Sequence, residues 1–360
     1  MGSVKDLHEY IPATEQSLGR GDFVFSDRFS VFDWGEMPDH IQNKGAALCI
    51  IAAYNFEKLQ QRGFHTHYLG VRNAYGETVR LDKITKPTNE MTVSLSRVYK
   101  PTFTNGSFDY SYFTNGRGKI NNFVVPLEVI YRNGAPKGSS LFKTLATLED
   151  DGKTQEKLSL LAQYGLTENP RPGDLFPQTG FDFTTKFEPT DRKISDDDAY
   201  TISGLTQEQF YLLKNIRQAA VEIVSQRAEE VGLQDFDGKH EYRLFNGEVA
   251  MADVFGTLDE NRFMFEGRQV SKEFLRQIYK TKQADWIEDI ERAKKEAKQN
   301  KMENWKSLVT IQPQKLDPQL IKLVGEMYAA AAEKYTGLPL FGVRSLEEVM
   351  QDLEPFYSQN

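Results

Sequence analysis

The segment 236–253 is the most informative part of this sequence. It begins Phe236-Asp237-Gly238-Lys239-His240-Glu241-Tyr242 and returns through the turn pair Asn246-Gly247 to Asp253. Side chains two positions apart in a strand share a face, so a β-hairpin here would carry Asp237, Lys239 and Glu241 on one face. Two acids and a cation make a poor core surface, but they suit a surface that holds a metal-bound phosphate.

The pairing register of this hairpin determines whether it can bind a metal. A plain two-residue turn at Asn246-Gly247 would pair Glu241 with Ala252 and leave Glu241 and Asp253 on opposite faces. A three-residue loop with a bulge would shift the pairing by one residue and bring both acids to one face. Because Mg²⁺ often takes one or two carboxylates together with substrate phosphates, we predict the bulged register. A surface hairpin with ordinary exposed charges is the alternative.

Length and composition limit the classes of protein that fit. A chain of 360 residues exceeds a typical single domain, so we expect two lobes. A hydrophobic fraction of 39% and an aromatic fraction of 12% are typical of a globular enzyme. With a net charge of −8 and no basic run interleaved with aromatic residues, a nucleic-acid partner is not expected. Small anions remain open as ligands, because a few converging cations can override an acidic average.

The single cysteine and the apolar segments bear on the location of the protein. Cys49 lies in an apolar run and is predicted to be a small buried hydrophobic residue. One cysteine excludes an intrachain disulfide and fits a reducing compartment. No apolar stretch reaches the roughly 18 residues of a membrane span, and the segment 1–6 lacks the apolar core of a signal peptide. We therefore predict a cytoplasmic protein without a membrane partner.

Strand-like segments followed by helical ones predict an α+β fold. Residues 123–131 read as an apolar strand, but Pro126 interrupts it, and proline is poorly tolerated in a central strand. A lobe boundary here gives a β-rich lobe of residues 1–125 and an α+β lobe of residues 126–360. The other predicted elements are a β-rich region at 1–43, a hairpin or insertion at 101–118, an irregular loop at 166–200, and helices at 44–62, 145–165, 206–231, 271–304, 318–337 and after Ser345.

Four further clusters could carry chemistry. Arg132 is followed by Gly138, Ser139 and Ser140, where backbone amides and hydroxyls could approach an anion and the guanidinium adds a planar fork. No Gly-Lys-Ser/Thr follows, so this is not a Walker-type loop. Each cluster alone is compatible with ordinary structure, but their convergence would not be. The other candidates are the segment 27–33, the loop 184–191, and the trio Asp259, Arg262 and Arg276.

The order of these clusters resembles the SAICAR synthetase family. The similarity runs from residue 2 to about residue 280. The segments that resemble the family's motifs are Gly2-Ser3-Val4-Lys5-Asp6, Asp27-Arg28-Phe29-Ser30-Val31-Phe32-Asp33, Asn43-Lys44-Gly45, Pro126-Leu127-Glu128-Val129-Ile130-Tyr131-Arg132 with Gly138-Ser139, Thr184-Thr185-Lys186, Asp237-Gly238-Lys239-His240-Glu241-Tyr242, Asp253, Asp259 and Arg262.

The resemblance implies an ATP- and Mg²⁺-dependent ligase of purine biosynthesis. Such an enzyme joins the carboxylate of carboxyaminoimidazole ribonucleotide (CAIR) to the amine of L-aspartate and releases SAICAR, ADP and phosphate. The implied fold has a small antiparallel β lobe and a larger α+β lobe with ATP between them, similar to ATP-grasp and kinase arrangements. Its partners would be these small molecules, and assembly into a homo-oligomer is left open.

The resemblance also implies a role for each matching residue. The implied ATP-binding residues are Gly2, Lys5, Phe123, Val125 and Glu128. The implied metal ligands are Glu241 and Asp253. The implied substrate-binding residues are Arg132, Gly138, Ser139, Arg262, Arg276, Asp27 and Arg28. The implied catalytic residues are Lys239, Asp259, Lys186 and Asp191.

Departures from the family pattern keep two other functions open. Ser3 stands where the family usually has Lys, Thr190 where a His is common, and Val254 where an acid often follows the metal-binding Asp. One alternative is a related ATP-dependent amide ligase with another carboxylate or amine. The other is a non-catalytic nucleotide-binding protein on the same fold, which the retained hairpin lysine and acids disfavour.

Overall fold

The computed structural model describes residues 4–104, 107–188, 191–300, 302 and 304–357. Within these residues the fold is α+β, as predicted, and contains two large antiparallel sheets, a small hairpin and ten α-helices. The expectations for Gly2, Ser3 and Thr190 lie outside the described residues.

The N-terminal sheet has five antiparallel strands in the order β1-β2-β5-β3-β4. One face of it is apolar, with Phe25, Met91 and Val93 fully or almost fully buried. The predicted β-rich region at 1–43 is correct as far as Phe25, after which the chain runs irregularly to the first helix. The strands are Lys5–Ile11 (β1), Gly19–Phe25 (β2), Tyr68–Arg72 (β3), Thr78–Val79 (β4) and Glu90–Leu95 (β5).

Helix α1, Lys44–Gln61, connects this sheet to the rest of the molecule. Its residues Ala47–Ala53 are all buried, as expected for a helix that is apolar around its circumference. It packs against β2, β3 and β5 on one side and against two C-terminal helices, Gln207–Glu230 (α6) and Pro318–Thr336 (α9), on the other. The hydrophobic core is therefore continuous between the two predicted lobes. The division at 125/126 remains a prediction.

The second sheet has eight strands, with six in the order β11-β10-β9-β12-β14-β15 and with β8 and β13 also paired to β12. Backbone hydrogen bonds join it to the N-terminal sheet region, from Val124 N–H to the Arg97 carbonyl and from His67 N–H to the Met251 carbonyl, both 2.9 Å. The strands are Phe123–Val124 (β8), Leu127–Ala135 (β9), Asp174–Thr185 (β10), Lys193–Ile194 (β11), Leu233–Phe245 (β12), Glu248–Ala252 (β13), Arg262–Phe265 (β14) and Arg268–Gln269 (β15).

Two predictions for these strands need correction. The strand expected at 123–131 is broken at Pro126 into β8 and β9. The irregular loop expected at 166–200 is wrong, because its centre is the twelve-residue strand β10. Phe183 is buried on this strand and Phe181 packs against the core, while a register shift between Leu175 and Gly180 accommodates the proline and glycine that suggested a loop.

The helices follow their predicted caps closely. Thr206 and Gln209 form the predicted capping box at α6, and Asp317 caps α9 by accepting from the Gln319 amide at 2.7 Å. The helix expected at 145–165 is split into two at Gly152, and the helix expected at 271–304 is split at Gln283 and ends at Gln299. The hairpin expected at 101–118 is present as Thr102–Thr104 (β6) and Ser107–Asp109 (β7). The remaining helices are Ser111–Gly116 (α2), Ser140–Asp150 (α3), Thr154–Gln163 (α4), Asp196–Ile202 (α5), Lys272–Lys282 (α7), Ala284–Gln299 (α8) and Leu346–Tyr357 (α10).

A buried polar network fastens the loop after β13 to the second sheet. The Asp235 carboxylate on β12 accepts hydrogen bonds from Tyr131 Oη (2.7 Å), Ser225 Oγ (2.9 Å) and Asn261 Nδ2 (2.9 Å). Burial raises the pKa of Asp235 to about 7, although these donors oppose the shift. Asn261 packs so closely on Gly238 that a Cβ there would lie 2.6 Å from its Oδ1. The network thus fixes the loop 256–262 against β12.

Cys49 is fully buried, as predicted, and burial raises the pKa of its thiol. None of the helices in the described parts of the chain is both long enough and apolar enough to cross a membrane.

Candidate active site

Charged side chains converge on one face of the eight-stranded sheet. The antiparallel register pairs Asp237 with Arg132 and Lys239 with Ile130. Strand alternation therefore places polar residues on this face, while the opposite face is apolar and packs against α6. The polar face carries Glu128, Arg132, Asp182, Asp237, Lys239 and Glu241.

A lysine–carboxylate cluster occupies one end of this face. Lys239 Nζ lies 3.1 Å from Glu128 Oε1, 2.9 Å from Glu241 Oε1 and 3.5 Å from Glu260 Oε2. Lys186 forms an ion pair with Glu241 and lies 3.6 Å from Glu128. Burial opposes the charge of both lysines, but the carboxylates outweigh it and raise their pKa. Burial, reinforced by Glu241, raises the pKa of Glu128 despite Lys239. The predicted Lys186, Lys239, Glu128 and Glu241 are thus in contact.

The bulged hairpin register that we predicted is wrong. Glu241 pairs with Ala252, so the turn is the plain two-residue type. Asn246 and Gly247 both have positive φ (50° and 80°), which is the type I′ geometry that closes a hairpin without a bulge. In this register a bulge does not bring Glu241 and Asp253 to one face of the hairpin.

Asp253 nevertheless lies beside the lysine cluster, because the chain leaves strand geometry at this residue, where φ is 58°. Its carboxylate forms an ion pair with Lys5, the first residue of β1. Burial would raise the pKa of Asp253, but Lys5, Lys239 and Lys186 outweigh it and lower the pKa well below its ordinary value. The left-handed residue, not a bulge, brings this acid to the cluster.

The donor set of these two acids fits a magnesium ion held jointly with a nucleotide. Among the described residues no group of three or more His, Cys, Asp or Glu is arranged as a metal cage. Mg²⁺ usually keeps several waters and takes one or two carboxylates plus substrate phosphates, so a full protein cage is not required. In this structure the Glu241 oxygens are paired with Lys186 and Lys239, which are themselves suited to phosphate oxygens.

A second cluster, of arginines and carboxylates, begins two residues along β12. Arg262 approaches Asp237 with two nitrogens, and Nε lies 2.8 Å from Oδ1. Arg132 lies 3.6 Å from the same carboxylate and 3.7 Å from Asp182, and its Nη2 is 3.3 Å from Ser140 Oγ. Two guanidinium groups thus share one carboxylate, which an incoming oxyanion could replace.

The Gly138–Ser139 turn borders the arginine cluster. Ser139 is buried and caps α3, accepting from the Leu141 amide at 3.4 Å. Gly138 has φ +83°, and a Cβ there would lie 3.5 Å from Glu273, a residue of α7 that lies close to Arg262. Arg276 is paired with the same Glu273 at 3.0 Å. The structure therefore brings Gly138, Ser139, Arg262 and Arg276 to one region, as the sequence predicted.

Asp259 occupies a buried site of its own. Its Oδ2 lies 2.8 Å from Nζ of Lys44, which is 0% exposed, and 3.8 Å from Lys272 Nζ, while Tyr328 donates to Oδ1 at 2.8 Å. Burial would raise the pKa of Asp259, but Lys44 and Lys272 lower it to about 2. Asp259 is therefore a fixed anion at neutral pH.

Asp27 and Arg28 both have structural partners. Asp27 Oδ1 accepts from the Gly45 amide at 3.0 Å, at the start of α1 and close to Lys44. Arg28 Nη2 lies 2.8 Å from Asp6, and its Nε donates to a nearby serine. In this structure Arg28 therefore lies with the N-terminal sheet and not with the arginine cluster.

The residues expected around the nucleotide differ in exposure. The side chains of Phe123 and Val125 are completely buried in the core, and of this segment Val124 alone is partly exposed. Contact with a base from this segment would therefore come from Val124 or from the backbone. Asp191 is exposed; partial desolvation raises its pKa, and Lys239 and Lys186 oppose the shift. Gly2 is outside the described residues.

Several residues of these clusters had no role predicted from the sequence. Glu260 lies next to the predicted Asp259, and Asp182 lies on a strand that was expected to be a loop. Lys44 belongs to a motif that was recognised without a role, and Lys272 carried no sequence signal. Asp237 was expected on the same face as Lys239 and Glu241 but was given no role of its own.

The family model described as SAICAR synthetase matches residues 1–293 of the chain. A protein of Archaeoglobus fulgidus, provisionally named phosphoribosylaminoimidazole-succinocarboxamide synthase, is 40% identical over 356 residues, which cover 98% of this chain and 99% of that protein. The phosphoribosylaminoimidazole-succinocarboxamide synthase of Thermoplasma acidophilum is 31% identical over 291 residues, which cover 78% of this chain and 82% of the relative.

Solved structures show the same fold at lower identity. The SAICAR synthase of Saccharomyces cerevisiae, solved as a complex with SAICAR, has a TM-score of 0.55 at 20% identity and covers 94% of this chain and 93% of its own. A SAICAR synthetase solved in complex with ADP has a TM-score of 0.51 at 20% identity and covers 77% and 88%.

Proposed function

The chain belongs to the SAICAR synthetase family, and we propose that it catalyses the ATP-dependent joining of CAIR and L-aspartate. One observation carries this proposal. The lysine–carboxylate cluster and the arginine cluster lie on one sheet face, with Lys239 and Asp237 two positions apart on β12. That spacing corresponds to about 7 Å along a strand, close enough for a phosphate-transfer centre to meet a bound ribonucleotide.

The lysine–carboxylate cluster is suited to the nucleotide. Lys5, Lys186 and Lys239 would neutralise the phosphates of ATP, and their present carboxylate partners would give way to phosphate oxygens. A relative with the same fold was solved with ADP. We propose that Glu241 and Asp253 hold Mg²⁺ jointly with those phosphates, where the ion would add positive charge.

The arginine cluster is suited to the ribonucleotide. Arg132 and Arg262 present planar forks to one small volume, where a ribonucleotide phosphate would replace Asp237 as their shared anion. We propose that Ser139 and Arg276 complete this site from the adjoining turn and helix. A yeast relative with the same fold was solved with SAICAR.

Each of these residues has a separate proposed role in the reaction. A carboxylate is a poor electrophile, so the γ-phosphoryl group of ATP must first convert it to an acyl phosphate. Lys186 and Lys239 would stabilise the charge of that transfer without acting as nucleophiles. Asp191, whose raised pKa makes it a better proton acceptor than an ordinary aspartate, would take a proton from the attacking amine. Asp259, with a pKa of about 2, would remain ionised and orient substrate.

The broader arrangement belongs to the same proposal. We propose that residues 1–125 form the ATP-binding lobe and residues 126–360 the lobe for substrate and metal. We also propose a cytoplasmic location, which the single cysteine supports, and self-association is not part of the proposal.

An ADP-release assay tests the proposal. Purified protein is incubated with ATP, Mg²⁺ and CAIR, with and without L-aspartate, and ADP is measured together with the amide product. We expect sustained ADP release only when both substrates are present. Glu241→Ala should abolish it, whereas Glu248→Ala, which removes an exposed acid from the same hairpin, should not. No ADP release when CAIR and L-aspartate are both present would overturn the proposal.

A further inference from the structure

A pocket lies at the free edge of the second sheet. Strand β11 pairs with β10 only at Phe183 and Thr184, so within the described parts of the chain the β10 residues before them have no neighbouring strand on that side. A cavity of about 430 Å³ opens there between β10, the start of α5 and α6. That volume is enough for a small metabolite and exceeds the size of a single inorganic ion.

Arg217, on α6, contributes an unsatisfied donor to this pocket. Its guanidinium stacks 4.1 Å from the centre of the Phe181 ring and 5.4 Å from that of Phe183. Among the described residues its buried Nη1 has no hydrogen-bond partner. A buried charged donor without an acceptor is costly, so the group favours an oxyanion as a ligand.

Lys193 provides a second cation and a link to the proposed active site. Its Nζ lies 2.8 Å from Asp182, whose other oxygen is 3.7 Å from Arg132 of the arginine cluster. Asp196 also lines the pocket, but Lys214 holds it at 2.6 Å. The pocket therefore combines two cations with two acids, Asp182 and Asp196, each of which is already paired with a lysine.

We propose that this pocket binds a small organic anion with a carboxylate or phosphate group, held by the fork of Arg217 and by Lys193. A bound anion would compete with Asp182 for Lys193, so Asp182 would pair more strongly with Arg132. The anion would thereby weaken the hold of Arg132 on the ribonucleotide. This second step rests on the proposed function, whereas the binding step does not.

Hydrogen–deuterium exchange with mass spectrometry tests the binding step, using inorganic phosphate and succinate as separate probes and sodium chloride at matched ionic strength. The readout is peptide 193–198, because the arginine cluster would also bind anions. We expect either probe, but not chloride, to slow exchange in this peptide. Protection by succinate alone identifies a carboxylate ligand, and protection by phosphate alone identifies a phosphate ligand. No protection with either probe overturns the proposal.

Variants assign the protection to Arg217. Arg217→Met keeps an apolar stem against Phe181. The ligand concentration needed for the same protection should rise roughly ten- to hundredfold. Arg62→Met, which removes an exposed arginine paired to Glu222, is the matched control and should bind like the unmodified protein. If Arg217→Met does not fold, Arg217→Lys should still bind more weakly because it lacks the fork. Unchanged binding in the folded Arg217 variants refutes the site.

Steady-state kinetics test the second step. The protecting anion should raise KM for CAIR with little change in kcat, and Arg217→Met should abolish that effect. Binding without a change in KM would refute the link through Asp182 and leave the pocket established. If the proposed CAIR reaction does not occur, the unmodified protein will show no turnover even without the anion. That result is distinct from a failure of the link through Asp182.

Discussion

Replacing Asp259 by Asn removes the counter-charge of Lys44, a lysine that no water reaches. The amide keeps the size of the carboxylate and can still accept the hydrogen bond of Tyr328. The substitution removes only the negative charge. The Lys44 cation is then left in the interior with a second cation, Lys272, nearby. Breaking a buried pair from one side is costly for this reason.

Two limits bracket the loss in the free energy of unfolding. The pKa of Asp259 falls from 3.8 to about 2, and at 1.36 kcal/mol for each pKa unit the pair contributes about 2 kcal/mol. The upper limit is set by Lys44, which can release its proton. From an ordinary pKa of 10.5, deprotonation at pH 7.5 costs about 4 kcal/mol. We therefore expect Asp259→Asn to cost about 2–4 kcal/mol at that pH.

The pH dependence identifies the cause. The contribution of Asp259 itself is present above its unfolded pKa and is lost only as the pH falls through about 2. In Asp259→Asn, a neutral Lys44 in the folded state means that the unfolded chain binds one more proton. The stability of the variant should then rise by about 1.4 kcal/mol for each pH unit relative to the unmodified protein, between pH 7 and 10.

Urea unfolding followed by circular dichroism at pH 7.5, 8.5 and 9.5 measures this difference. Tyr328→Phe is the matched control, because it removes one hydrogen bond, worth about 1 kcal/mol, and keeps the ion pair. Its loss should not depend on pH over this range. A loss below 1 kcal/mol in Asp259→Asn, or one that does not change with pH, would refute the reasoning.

Three other predictions concern the site and the core. Lys186→Met should lower kcat about 10²–10³-fold in the ADP-release assay while the circular dichroism spectrum is retained, and an unchanged kcat would contradict the phosphate-transfer role. Arg262→Lys, which loses the fork directed at Asp237, should raise KM for CAIR about 10–100-fold with a smaller change in kcat; equal losses in kcat and kcat/KM would contradict a ground-state role. Because the pKa of Asp235 is raised to about 7, its protonated form contributes stability that is present below pH 4 and lost as the pH rises through 7. The Tm of the unmodified protein should therefore decrease between pH 5 and 8, and Asp235→Asn should remove that decrease. An identical pH profile of Tm in the two proteins would contradict this.

Helices were predicted well because their signals are local. The capping box at Thr206 and the Asp317-Pro318 start are each completed by atoms within three residues, so sequence alone specified them. Strand β10 was missed because its proline and glycine indicated a loop, whereas its stability comes from pairing with β9, which is distant in sequence. The position of Asp253 was also not predictable from local sequence, since regular strand alternation does not indicate a single left-handed residue at the end of a strand.

The candidate site was predictable to the extent that its residues lie on one strand or in one motif. Alternation on β12 placed Asp237, Lys239 and Glu241 together without knowledge of the fold. Contacts that depend on packing between distant elements were not accessible. Lys44 meets Asp259 only because α1 packs beside the loop that Asn261 fastens to β12.

The ion pairs of Lys5 and Lys44 also set an order of events during protein synthesis. Each of these early lysines is paired with an acid, Asp253 or Asp259, that follows it by more than 200 residues in the chain. At about 5–20 residues per second, the ribosome needs roughly 10–50 seconds to supply those partners. During that interval Lys44 can be buried only as an uncompensated charge or by releasing its proton, which costs about 4 kcal/mol at pH 7.5. We therefore expect the N-terminal sheet and α1 to complete their packing only after the last third of the chain emerges.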